Sequence, residues 1–228
     1  MKNTKGTILF IFMAFFLNWN TQAQDWPNLE RFREDNKTVD TTITDQVVFM
    51  GNSITEGWIR LDPDFFAQAP YVNRGISGQT TPQMLLRFRQ DVIDLKPAAV
   101  VILAGTNDIA GNTGPSTLEM IADNIKSMSE LAKAHGIEVI ISSVLPAADY
   151  PWNPGMEPAD KIIELNKMLQ DYAAANDVIY LDYFSKMVDD NKGLPKELSE
   201  DGVHPTLEGY KVMQPLVQEA IAKALSEK

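Results

Sequence analysis

Short runs of β-branched and aliphatic residues alternate with stretches of helical periodicity along the 228-residue chain, and this alternation constrains the fold more than any other feature. Residues 46–50, 71–74, 98–104, 137–143 and 178–181 read as strands. Their apolar character is nearly continuous, as expected of strands covered on both faces. Between them, Leu85, Phe88, Val92 and Leu95 recur at helical spacing, as do Ile121, Ile125, Met128 and Ala132, then Ile162, Leu165, Leu169 and Tyr172. Strands alternating with helices build βαβ units on a parallel sheet. The expected fold is therefore α/β, a three-layer α/β/α sandwich of flavodoxin-like type with about five parallel strands.

Local signals place the helix ends. Thr81-Pro82 opens the second helix with a cap and a first-turn proline. Ser116 with Glu119 forms a capping-box pattern for the third, which His135-Gly136 closes. Residues 206–226 read as a final helix, with Pro215 expected to bend or interrupt it. Active sites in such sheets lie beyond the carboxyl ends of the strands, so the loops leaving those ends carry the functional argument.

The first residues stand apart from this pattern. Lys2 and Lys5 precede an apolar run at residues 8–17, and Thr21-Gln22-Ala23 follows as a cleavage-like tripeptide, so residues 1–23 are expected to be a signal peptide. The run is far short of the roughly 20 residues that cross a bilayer. The mature protein is expected to start near Gln24, to form one domain over residues 24–228, and to be periplasmic or secreted without stable membrane insertion. The chain has no cysteine, which excludes a lipid-anchored lipoprotein, disulfides and thiol chemistry. The formal net charge of −11 becomes about −13 once Lys2 and Lys5 are removed. Nucleic acid and anionic lipid need a basic surface, so neither is an expected partner.

Four segments at strand ends carry chemistry. Ser53, in Gly51-Asn52-Ser53-Ile54-Thr55, falls where the first strand passes to a helix, and the free N–H groups there favour an oxyanion. It either attacks as a nucleophile or merely caps the helix, and Thr55 excludes the G-x-S-x-G elbow. In Gly105-Thr106-Asn107-Asp108, the Asn107 amide can donate to an oxyanion or turn the loop. In Asn73-Arg74-Gly75-Ile76-Ser77-Gly78-Gln79, either Gly75 or Gly78 can bring a bare N–H to a ligand, and spacing does not choose. In Asp201-Gly202-Val203-His204-Pro205, an aspartate three residues before a histidine can orient the imidazole. The other histidine, His135, ends a helix, and Asp182 is the rival carboxylate. No His/Cys cluster exists to bind a metal, and no cofactor is expected.

Taken in order, these four segments resemble the SGNH, or GDSL, hydrolase family over roughly residues 45–225, and Asn73-Arg74-Gly75-Ile76-Ser77-Gly78-Gln79-Thr80-Thr81 is similar to its platelet-activating-factor acetylhydrolase branch. The resemblance implies a serine esterase with Ser53 as nucleophile and His204 and Asp201 completing a triad. It implies an oxyanion hole made of the Ser53 N–H, the Gly78 N–H and the Asn107 side chain, with Gly75 as the alternative glycine. Asn52 stands where the family carries aspartate, which puts support of the nucleophile loop in question. The expected substrate is a small-molecule or glycan ester, with Tyr150 and Trp152 in the proline-rich segment 149–158 stacking on a sugar. Lysophospholipid or thioester hydrolysis, a phosphate-binding flavodoxin-like module and a silent glycan-binding member remain alternatives. Trp58, one turn beyond Ser53, reads as core.

Overall fold

The computed structural model describes residues 25–226; the expected signal peptide at 1–23 lies outside them. The element order is α1 (Arg33–Thr38), β1 (Val47–Gly51), α2 (Ser53–Leu61), α3 (Pro63–Ala67), β2 (Tyr71–Gly75), α4 (Thr81–Asp91), β3 (Ala99–Leu103), α5 (Thr106–Ile109), α6 (Leu118–Ala134), β4 (Glu138–Ser142), α7 (Ala159–Ala175), β5 (Ile179–Leu181), α8 (Phe184–Met187) and α9 (Leu207–Ser226). All four strand pairings are parallel, in the order β2-β1-β3-β4-β5. That is the flavodoxin-like arrangement, whose order reverses at the β1/β3 boundary and opens a crevice at the carboxyl edge.

Each strand sends alternate side chains to opposite faces, and the two faces build separate cores. Val48, Met50, Val100, Ile102, Val139 and Ile141 pack under α4, α6 and α7, against Phe88, Ile125 and Leu165 among others. Val47, Phe49, Ala99, Val101 and Ile140 face α2, α3 and α9. Trp58 belongs to this second core: it is 2% exposed and lies between the stacked rings of Phe65, at 4.7 Å, and Tyr210, at 5.1 Å.

Two N-caps fall one residue from their expected places, while His135-Gly136 closes α6 as expected. Thr80, not Thr81, is the N-cap of α4, with its N–H held by Gln83 Oε1 at 3.1 Å. Thr81 is drawn away because its hydroxyl and N–H bind Asp108. Thr117, not Ser116, caps α6 and accepts from the Met120 N–H. In both cases two neighbouring hydroxyl residues could serve, and the residue that takes the cap has the extended backbone a cap requires. α9 runs continuously through Pro215.

Gly75 ends β2 where it packs on α2. A Cβ there would lie 2.2 Å from Glu56 N and 2.7 Å from the Thr55 carbonyl carbon, both rigid backbone. Gly75→Ala is therefore expected to lower stability by at least about 2 kcal/mol through overpacking, read as a reduced urea midpoint. Unchanged stability would mean that the two elements can separate without cost.

Candidate active site

β1 delivers Ser53 to the sheet edge as the first residue of α2. The helix cap is Asn52, whose Oδ1 accepts from Ile54 N at 3.1 Å, so Ser53 does not act as the cap. The amide thus keeps the acceptor role open to an aspartate at this position, with no charge buried. Ser53 Oγ lies 2.9 Å from His204 Nε2, although 151 residues separate them.

His204 is oriented by its own loop. Its Nδ1 lies 2.7 Å from Asp201 Oδ2, while Asp201 Oδ1 accepts the N–H groups of Val203, at 2.9 Å, and His204, at 2.8 Å. Burial alone would raise the Asp201 carboxyl, but the His204 N–H, the imidazole and the Val203 N–H outweigh it and hold the group below the ordinary carboxylate range. Gly202, at φ +79°, provides the left-handed turn that folds this loop on itself. The rivals are occupied elsewhere. Asp182 accepts from Ser185 N at the start of α8. His135 ends α6 at the opposite edge of the sheet, with Nδ1 on Leu131 O.

The loop after β2 distinguishes the two glycines. Gly75 N donates to Asn73 Oδ1, Ile76 N to Gly51 O, Ser77 N to Glu56 Oε2 and Gln79 N to Ile76 O. Among the described residues, Gly78 N has no such partner. Gly78 has φ +77° and open space where a Cβ would stand. Asn107, 2% exposed on α5, donates from Nδ2 to Gln79 O at 2.9 Å, which leaves its second amide hydrogen uncommitted by that bond.

Supports absent from the sequence reading lie beneath this loop. Arg87, 0% exposed, donates to Gln79 Oε1 at 2.5 Å, to Gly51 O at 3.0 Å and to Asp91 Oδ2 at 3.0 Å. Gln79 Nε2 reaches Pro27 O at 2.7 Å. Arg87 sits on the apolar face of α4, four residues before Asp91, and a charged i,i+4 pair on a buried face is the signal that marks it.

Of the two aromatics expected to meet substrate, Tyr150 is corrected: it is 0% exposed and has no face to offer. It instead underlies Trp152, stacked at 5.0 Å. Trp152 is 43% exposed, and its ring centroid is 6.0 Å from that of His204. On another side of His204, Leu61, Pro205 and Leu207 line a shallow depression. Among the described residues, no three His, Asp or Glu side chains group as metal ligands.

Asp108, next to Asn107, accepts the Thr81 N–H at 2.9 Å and its hydroxyl at 2.6 Å. Burial nevertheless pushes its carboxyl up to about 6 from 3.8. A raised pKa means that the fold favours the protonated form, so this stabilising contribution is complete below about pH 4 and is lost as pH rises through 6. Relative to Asp108→Asn, the wild type should lose about 3 kcal/mol between pH 4 and 7. Urea unfolding across that range measures the difference, and parallel curves would refute it.

Comparison with known proteins agrees with the geometry. Residues 49–212 match the family described as GDSL-like lipase/acylhydrolase. A GDSL-like lipase from Bacteroides thetaiotaomicron of known structure is 50% identical, with a TM-score of 0.85 over 87% of this chain and 98% of that one. Esterase TesA of Pseudomonas aeruginosa is 28% identical over 163 residues, 69% of this chain and 74% of TesA. The uncharacterized lipoprotein YqeF of Bacillus subtilis is 37% identical over 78 residues, 33% of this chain and only 32%, about a third, of that protein. The chain belongs to the GDSL-like lipase/acylhydrolase family of carboxylic ester hydrolases.

Proposed function

We propose that the chain is a serine esterase that removes a small acyl group, acetyl above all, from a sugar or glycan. The observation that carries this reading is the relay Ser53 Oγ–His204 Nε2 at 2.9 Å and His204 Nδ1–Asp201 Oδ2 at 2.7 Å. Ser53 Oγ attacks the ester carbonyl as its proton passes to Nε2, and the tetrahedral oxyanion is met by the N–H groups of Ser53 and Gly78 and the Asn107 amide. The imidazolium, paired with Asp201, then protonates the leaving alcohol. Water repeats the sequence on the acyl-enzyme, releasing the acid and restoring the Ser53 hydroxyl.

The alcohol leaves on the side from which His204 protonates it, and Trp152 stands beside that ring. An exposed indole face suits the C–H face of a sugar. The acidic surface and the polar setting of Trp152 support a hydrophilic substrate, and the leader at 1–23 supports action outside the cytoplasm after cleavage near Gln24. Among the described residues, no helix is long and apolar enough to cross a membrane. A second reading, lysophospholipid or thioester hydrolysis, draws on Leu61 and Leu207, which are 46% and 40% exposed beside His204.

Ser53→Ala should reduce p-nitrophenyl acetate hydrolysis more than about 1000-fold with the fold intact; undiminished turnover would overturn the assignment. Acetate release from acetylated glycans, set against a p-nitrophenyl chain-length series, decides between the two substrates. Rates that rise with chain length would favour the second.

A further inference from the structure

Three loops at the carboxyl edge meet at one exposed side chain, that of Asn112. Asn112 lies in the loop after α5, between Gly111 at φ +76° and Gly114 at φ +106°. Its backbone N–H donates to Asn107 O at 3.0 Å. Its Nδ2 donates to Gly78 O at 3.3 Å, and its Oδ1 accepts from Trp152 Nε1 at 3.2 Å. One residue therefore holds the backbone carbonyls of the two residues that carry the supplementary oxyanion donors, together with the aromatic wall beside His204.

We propose that Asn112 is a positioning residue that aims the Gly78 N–H and holds it in register with Trp152. Gly78 needs such a restraint, because a glycine in an open left-handed conformation has little of its own to fix it. On one side Ser77 is bound to Glu56. On the other, Gln79 is bound to Arg87 and Asn107. The Gly78 carbonyl between them takes its side-chain bond from Asn112. Neighbouring bonds reinforce the loop contact: the hydroxyls of Thr113 and Thr80 lie 2.9 Å apart, and Asn153 Nδ2 donates to Ala110 O at 3.0 Å. The amide is suited to this place because it donates to a carbonyl and accepts from an indole at once, which neither Asp nor Ala can do. Through it, a sugar seated on Trp152 is coupled to the alignment of the oxyanion donor. The inference rests on the Ser53–His204 reading given above.

The test compares Asn112→Ala, Asn112→Asp, Trp152→Phe and the Asn112→Ala/Trp152→Phe pair in the full chain. The readouts are p-nitrophenyl acetate kinetics and the rate of phosphorylation by a diethyl p-nitrophenyl phosphate probe, which uses the same oxyanion donors. Asn112→Ala should lower kcat about 10-fold with KM within about twofold, and slow the probe similarly, because the group it aims acts in the transition state. Asn112→Asp keeps the acceptor for Trp152 but sets a carboxylate against the Gly78 carbonyl, so it should lose at least as much. The double variant should be no slower than Asn112→Ala, since the Trp152 bond acts through Asn112. Asn112→Ala and Asn112→Asp within twofold of wild type, or a change confined to KM, would overturn the inference while an inactive Ser53→Ala left the esterase reading standing. An active Ser53→Ala would remove both.

Discussion

A guanidinium with no access to water joins the two loops that shape the site. Arg87 bonds the carbonyl of Gly51, two residues before Ser53, and the side chain of Gln79, one residue after Gly78. Burying a cation costs several kcal/mol unless its charge and donors are matched. Here Asp91 supplies the charge one helical turn away, and Asp91 in turn accepts from Asn36 at 2.8 Å. Burial still pulls the guanidinium down to about 10, against the opposing pull of Asp91, so it remains charged at neutral pH. With no water to substitute for a lost partner, the relative position of the first and second strand ends is strongly specified.

On that base the carboxyl edge is assembled by bonds between loops. The loop after β2 is bound to α2 through Ser77 and Glu56, to α5 through Gln79 and Asn107, and to the loop beyond through Asn112. The segment after β4 joins through Trp152 and Asn153. Preorganised donors stabilise developing charge without reorganising at the moment of reaction, and an edge bound in this way meets that condition. The His204 loop is held differently. Its stability is local, from Asp201 and the Gly202 turn, and it closes on Ser53 from the far end of the chain, where the carbonyl of Ile54 also accepts from Tyr210 at 2.7 Å.

Much of the fold was legible because buried parallel strands write themselves as apolar runs. The five expected strands lie within a residue of those observed, and the order 2-1-3-4-5 agrees with the flavodoxin-like reading. The two N-caps slipped by one residue because Thr80 and Thr81, like Ser116 and Thr117, are chemically equivalent until a tertiary partner such as Asp108 claims one of them. Tyr150 and Trp152 read alike in a proline-rich loop, yet one ring is sealed beneath the other. Asn112 carries no signal beyond its flanking glycines, since its role consists only of what lies across from it.

The amino-acid order by itself determined the residue types at each strand end, the helical and extended periods, and the short Asp201-to-His204 spacing. These depend on neighbours within a few residues, where backbone geometry is nearly independent of the rest of the molecule. The tertiary structure supplied what the resemblance only implied, that Ser53 and His204 meet at 2.9 Å and that Gly75 donates its N–H to Asn73 while Gly78 keeps a bare one, and it alone decided that Trp152 rather than Tyr150 faces outward. Those outcomes follow from strand order, register and the packing of one loop on another, and contacts between distant segments leave no periodic trace in either segment.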